Sequence, residues 1–384
     1  MSKGHIEITF VITSCDCGIY SKKSPYGGNS MEKILSIIVP SYNMEAYLPK
    51  CLRSFIIDDK LLLQKLDVIV VNDGSKDCTS EIAHEFEEKY PGVFRVIDKP
   101  NGNYGSCINR GLKEAQGTYI KTIDADDWVD NENFAEYLAF IDLQIKNGNV
   151  VDLILNDFDF VHSDEVPYRT LSYSFVTEAD FTIAGFTYNN GRELWMHAIA
   201  YKTDNLRKID YNQMEGVSYT DEEWLSQPMT TVRSLAYFPK VVYKYLMGRV
   251  GQTCDPDEYV RSYWMLLKIL KKLLAQYSKQ IDILPELNNA YMVNHLLHRL
   301  RLTYTNLLLN KKIKGLEAEL LDFDDYLKVT VPSLYAQSDN ICVTKRFFKF
   351  YFVREWRKKQ RKTFRFMLYS IYLFVSSRVG KYIC

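Results

Sequence analysis

From residue 34 to residue 157, short apolar runs alternate with stretches of helical periodicity, the pattern of a parallel sheet covered by helices. The runs predict strands at 35–39, 67–71, 94–97, 119–123 and 153–155, with helices opening near Asn43, Thr79, Asn103 and Asn133. In the first helix Leu48, Cys51, Leu52 and Phe55 recur at helical spacing, with Asn43 expected as its N-cap. Beyond Asp159 the pattern becomes shorter and mixed. It predicts a strand at 196–201, a helix opening near Asp221, a strand at 241–246 and helical structure over 259–310, with no internal repeat.

In an open parallel sheet, ligands bind beyond the carboxyl ends of the strands, where loops and helix N-termini converge. Polar residues stand at three such ends: Ser41, Tyr42 and Asn43, then Asn72 and Asp73, then Asp124, Asp126 and Asp127. The last set follows a buried strand directly. Hard cations such as Mg²⁺ or Mn²⁺ take oxygen ligands and share them between carboxylates and substrate phosphates. On extended backbone Asp124 and Asp126 point the same way and can address one ion together. The structural alternative is an acidic turn that caps the next helix. Asn72-Asp73-Gly74 is ordinary turn chemistry, yet a carboxylate there can also accept from a base N–H or a ribose hydroxyl.

Four stretches in this order, SIIVPSYN ending at Asn43, VNDGS ending at Ser75, Asn101-Gly102 with Asn109 and Gly111, and DADDW ending at Trp128, resemble family 2 glycosyltransferases with the GT-A fold. The resemblance covers roughly residues 35 to 252. It implies an α/β fold, a mostly parallel sheet flanked by helices, here with a helical, basic C-terminal extension. It also implies transfer of a hexosyl group, with inversion, from a nucleotide diphosphate donor (a UDP-sugar) to a saccharide or lipid-linked saccharide hydroxyl in surface polysaccharide assembly. By the same resemblance Pro40, Ser41, Tyr42, Asn43 and Asp73 form the nucleoside pocket. Asp124 with Ala125 contacts the ribose or metal-bound donor, and Asp126 is the principal ligand of Mn²⁺ or Mg²⁺. Glu45, Asn109 and Arg110 are further donor-site candidates. The catalytic base falls in the stretch from Ser218 to Trp224, where Asp221 is chosen and Glu222 and Glu223 are rivals; the structural alternative is that Asp221 only caps its helix.

Many relatives supply a late His to the diphosphate, and the matching stretch from Tyr245 to Gln252 has none, so Arg249 and Gln252 are assigned there. His197 reads as a satisfied core histidine. No P-loop lysine pattern and no GxGxxG after a strand is present, which removes support from kinase and dehydrogenase readings. A sugar-phosphate nucleotidyltransferase and a nucleotide-binding scaffold without turnover remain the alternatives.

Composition changes the picture mainly at the ends. With 47% hydrophobic and 25% charged residues the chain has globular composition, and its net charge is zero. That zero hides an asymmetry: residues 341–384 carry twelve Lys or Arg and one acid, Glu355. Interleaved with Phe and Tyr, this tail reads as an interfacial membrane contact ahead of a subunit-docking helix, and no nucleic-acid module precedes it. The eight cysteines lack CxxC pairing and read as reduced thiols in a cytoplasmic protein, held peripherally on the inner face of the plasma membrane. The expected organisation is an N-terminal extension over 1–30, a GT-A domain over 31–255 with donor half 31–157 and acceptor half 158–255, a helical region over 256–340, and the tail. Self-association is left open.

Overall fold

The computed structural model describes residues 32–162, 165–174, 194–249, 262–309, 317–345 and 348–359. The expected extension 1–30, Gln252 and the tail beyond 359 lie outside the described residues. The chain forms two compact units. The first takes the described residues up to 174 together with 194–216 and 231–248; the second takes 217–230 and the described residues from 249 onward. Residues 217–230, expected within the acceptor half, therefore belong to the second unit.

Among the described residues, the first unit is built on a nine-stranded sheet. Its opening elements are β1 (Leu35–Ser41), α1 (Leu48–Ser54), α2 (Lys60–Leu63), β2 (Leu66–Asn72), α3 (Thr79–Lys89), β3 (Phe94–Asp98), α4 (Asn103–Glu114) and β4 (Tyr119–Thr122). The pairs β1/β2, β2/β3 and β1/β4 are all parallel. The spatial order β3-β2-β1-β4 reverses direction at β1, so the crevice between the carboxyl ends of β1 and β4 is the switch point where this architecture binds ligands. Ile37, Ile38, Val68, Ile69 and Val70 are fully buried, each contributing about 1.5–3 kcal/mol of hydrophobic stabilisation.

The remainder is mixed: β5 (Trp128–Val129), α5 (Asn131–Lys146), β6 (Leu153–Val161), β7 (Pro167–Leu171), β8 (Ile199–Lys202) and β9 (Leu235–Leu246). β8 lies antiparallel to β4 and β6, and β9 runs parallel to β6. The expected strand at 241–246 is the second half of β9. Its register against β6 jumps from Phe238 to Val241, a bulge at Pro239, whose missing N–H cannot serve a continuous ladder.

Two glycines set how closely α4 lies on this sheet. A Cβ on Gly111 would stand 2.7 Å from Ile38 Cγ1, and one on Gly105 would stand 2.2 Å from the Met214 carbonyl oxygen. Any side chain at either position would push the helix away from its neighbours.

In the second unit, helices Tyr263–Ser278, Glu286–Leu309 and Glu317–Thr330 pack with the short helices Pro332–Ser338 and Phe352–Lys358. The last of these belongs to the basic tail, yet Phe352, Val353 and Trp356 are buried. Arg357 pairs with Asp324 at 2.6 Å and Asp339 at 2.7 Å and lies over the Tyr335 ring. These side chains hold the helical unit together and are not available to a lipid surface. No helix among the described residues is long and apolar enough to cross a membrane.

Candidate functional site

Backbone hydrogen bonds draw the three polar strand ends together: Asp73 N–H donates to the Ser41 carbonyl at 2.8 Å, and Ile123 N–H to the Ile38 carbonyl at 3.0 Å. Pro40 and Ser41 close β1, with Ser41 buried, while Tyr42 is 42% exposed at the crevice mouth. Asn43 is not the N-cap of α1. The helix opens at Leu48, with Tyr47 at the cap position and Pro49 in its first turn. Asn43 instead takes the left-handed conformation (φ 52°), which Asn tolerates better than most residues. Its N–H donates to Ser75 Oγ at 3.0 Å and its Oδ1 accepts from Lys76 N–H at 2.8 Å. Glu45 continues the seam, its Oε2 accepting from Cys78 N–H at 3.0 Å and its N–H donating to Asp77 Oδ2 at 3.1 Å. Both side chains therefore tie the loop after β1 to the loop after β2.

Asp73 is likewise occupied. The Lys99 ammonium pairs with its carboxylate, and the N–H groups of Gly102 and Asn103 donate to it at 2.9 Å each. Its preceding turn is made as its residues suggest: Gly74 has φ 72° and Asn72 Oδ1 accepts from Ser75 N–H at 3.2 Å. Asn109 is buried, donating to the Gln213 carbonyl and Glu215 Oε1 at 3.0 Å and accepting from Gln213 N–H at 2.8 Å. Arg110 is exposed and pairs with Glu114 one turn on. These contacts make Asn109 a loop anchor and Arg110 a surface ion pair.

The acidic segment departs from the expected geometry. After β4 the backbone turns, with Asp127 N–H donating to the Asp124 carbonyl at 3.0 Å, so the extended alternation that would align Asp124 with Asp126 is absent. The turn instead brings ligand atoms of Asp124, Asp127 and His197 within 4.8 Å of one another. Asp124 Oδ1 accepts from Tyr104 Oη at 2.9 Å. Asp127 is 1% exposed, and its two oxygens accept from Tyr243 Oη at 2.5 Å and Leu246 N–H at 2.8 Å. Burial, with Asp126 and Asp124 alongside, holds the Asp127 carboxyl well above its ordinary range. Asp124, Asp126 and their neighbour Trp128 are half-buried, whereas Ala125 is buried.

His197 is buried, as expected, but not satisfied: its Nδ1 has no hydrogen-bond partner among the described residues. Its ring stacks on Tyr245 at 4.2 Å. Burial pushes the imidazole down to about 3, with the Lys121 charge adding to the effect, so the ring is neutral. Lys121 itself is a buried cation on β4, donating to Asn156 Oδ1 at 3.1 Å and to the His197 carbonyl at 2.6 Å; burial brings it down to about 7. Tyr104, Lys121 and Tyr243 went unnoticed in the sequence, and Asp127 stood out there only as one of three acids at a strand end. The alternation of Tyr243 with Tyr245 on a strand was the one signal for them.

The donor set suits a hard divalent cation. One turn concentrates three carboxylates, and a neutral imidazole with an unpartnered nitrogen stands behind two of them.

Asp221 opens a one-turn helix, Asp221–Trp224, in the second unit. The cap position is held by Thr220, not Asp221, and the two rivals are already paired: Glu222 with Arg299 at 2.6 Å, Glu223 with Lys272. Burial raises the Asp221 carboxyl, Arg299 opposing. Arg249 is half-buried and belongs to the same unit.

Residues 36–209 match the family described as Glycosyl transferase family 2. The chain is 28% identical over 275 residues to the uncharacterized glycosyltransferase YibD of Escherichia coli, covering 67% of this chain and 76% of that one. It is 37% identical over 119 residues to the minor teichoic acid biosynthesis protein GgaB of Bacillus subtilis, which spans 31% of this chain but only 13% of that one. Among solved structures, S. aureus TarS 1-349 in complex with UDP-GlcNAc superposes with a TM-score of 0.59 at 18% identity, covering 91% of this chain and 93% of that one. Residues 36–209 therefore resemble the family 2 glycosyltransferases, and the fold is of the GT-A type.

Proposed function

We propose that the protein transfers a sugar from a UDP-sugar to a saccharide hydroxyl, with inversion, in the assembly of a surface polysaccharide. The observation that carries this reading is the convergence of the ends of β1, β2 and β4, with their acidic turn, on the switch-point crevice of a domain that resembles family 2. The UDP-GlcNAc complex of TarS and the teichoic acid role in GgaB's name support the donor and product classes. The basic and aromatic composition of residues 360–384 supports a lipid-linked acceptor at the inner membrane face.

In this mechanism the exposed ring of Tyr42 and the turn from Pro40 to Asn43 line the nucleoside, and Asp73 shapes that pocket by fixing the 99–103 loop. A divalent cation, Mn²⁺ or Mg²⁺, would be held on the crevice side by Asp124 and Asp126 and would neutralise charge on the leaving diphosphate. These two carboxylates are half-exposed and reachable by a donor, whereas both Asp127 oxygens are engaged inside the protein. Asp127 anchors the turn to β9, and His197 backs Asp124. Asp221 accepts the proton of the acceptor hydroxyl as its oxygen bonds to the anomeric carbon and the bond to the diphosphate breaks. One displacement inverts the anomeric centre. Proton NMR of the product formed from a donor of known anomeric configuration is expected to show the opposite configuration; retention would exclude a single displacement.

A further inference from the structure

The segment that carries Asp221 is held at every turn by the C-terminal helices. Glu222 Oε2 meets Arg299 Nε at 2.6 Å and His295 Nε2 at 3.6 Å, both from helix Glu286–Leu309. Glu223, fully buried, pairs with Lys272 of helix Tyr263–Ser278. Main-chain atoms of the segment are held as well. Tyr291 Oη donates to the Leu225 carbonyl at 2.7 Å, Asn288 Nδ2 to the Met229 carbonyl at 2.7 Å, and Ser218 N–H approaches Met265 Sδ at 3.3 Å. A four-residue helix has no stability of its own, because helix nucleation is unfavourable and too few hydrogen bonds follow it. Its geometry must come from these partners.

We infer that helices Tyr263–Ser278 and Glu286–Leu309 are the positioning frame of the catalytic base, and that the Glu222–Arg299 pair is its central fastening. Arg299 and Lys272 are positioning residues: each binds the carboxylate next to or two places beyond Asp221 and so fixes where the Asp221 side chain points. Putting two carboxylates inside the protein costs solvation that only close cations offset, so the frame and the turn are specified together. The inference rests on the reading of Asp221 as the base.

The guanidinium has a second consequence. The charged and titratable groups packed against this turn are Arg299 and His295 from one helix, Lys272 from the other, and Glu222 and Glu223 from the turn itself. Of these, Arg299 favours the ionised form of Asp221 and opposes the effect of burial.

The test is a charge-pair replacement, Glu222→Gln with Arg299→Met, which leaves no unpaired charge in the protein and so preserves folding, checked by circular dichroism. Transfer by this double variant is expected to fall by about ten- to a hundredfold in kcat, as a small misplacement of a reacting group does. The acidic limb of its pH profile is expected to move to higher pH, while the KM for the nucleotide-sugar stays within about twofold. Arg299→Lys, which keeps the charge, is expected to recover most of the loss and to restore the limb. An unchanged kcat and pH profile in the double variant would overturn the positioning role. Asp221→Asn, measured in parallel, separates the two readings: an active Asp221→Asn removes the base assignment itself, whereas an inactive one beside a fully active double variant removes only the frame.

Discussion

Asp221→Asn is expected to abolish sugar transfer while leaving nucleotide-sugar binding intact. The amide is isosteric with the carboxylate and keeps its hydrogen-bonding outline but takes up no proton, so the loss is about 10²- to 10⁴-fold in kcat, the range general-base catalysis supplies. Donor affinity, measured by calorimetry, should be unchanged because the nucleoside pocket is built from other loops. The wild-type pH profile adds a second check. Burial raises the Asp221 carboxyl, and a base works only when deprotonated, so activity is expected to be present at higher pH and to fall on acidification through a limb above the ordinary carboxylate range. An Asp221→Asn enzyme within about threefold of wild type would move the role to Glu222, whose own carboxyl burial pushes up to about 8.

The second large effect is expected at the acidic turn. Asp126→Ala should remove metal-dependent transfer almost completely, by about 10³-fold, since charge on the departing diphosphate is the main electrostatic demand of the reaction. His197→Ala should cost less, about ten- to a hundredfold, as loss of a group behind a ligand does. Titration of Mn²⁺ into each variant, followed by electron paramagnetic resonance, measures ion affinity directly. The opposite pattern, with affinity kept in Asp126→Ala and lost in His197→Ala, would place the ion on Asp124, Asp127 and His197.

The first four strands were readable because β1, β2 and β4 are buried on both faces and end abruptly at turn residues, and β1 to β4 fall within two positions of expectation. The later strands were not, since their polar positions are satisfied by partners remote in sequence. β6 continues through Asp157 and Asp159 because Tyr237 Oη and Tyr173 N–H bind the first and Thr170 Oγ1 and Lys244 the second. Pro239 hid half of β9 behind a bulge.

The motifs marked polar residues without revealing what their side chains hold. Those of Asn43, Glu45, Asp73 and Asn109 hold loops to one another. Spacing reveals that a polar residue stands at a strand end; it does not reveal that a neighbouring loop has already taken its hydrogen bonds. The same limit explains Asp127, third in a run of acids, which is buried and bound by a tyrosine 116 residues away.

The central claim is metal-dependent turnover of a nucleotide-sugar in the switch-point crevice. Its most direct test is nucleotide release by the full chain from UDP-, GDP-, dTDP- and CMP-sugars, each with Mn²⁺, with Mg²⁺ and with chelator. Release from a UDP-sugar with metal, absent with chelator, is the result this account predicts. Equal release with chelator would contradict the role given to the acidic turn, and no release or binding of any donor would contradict the transferase mechanism.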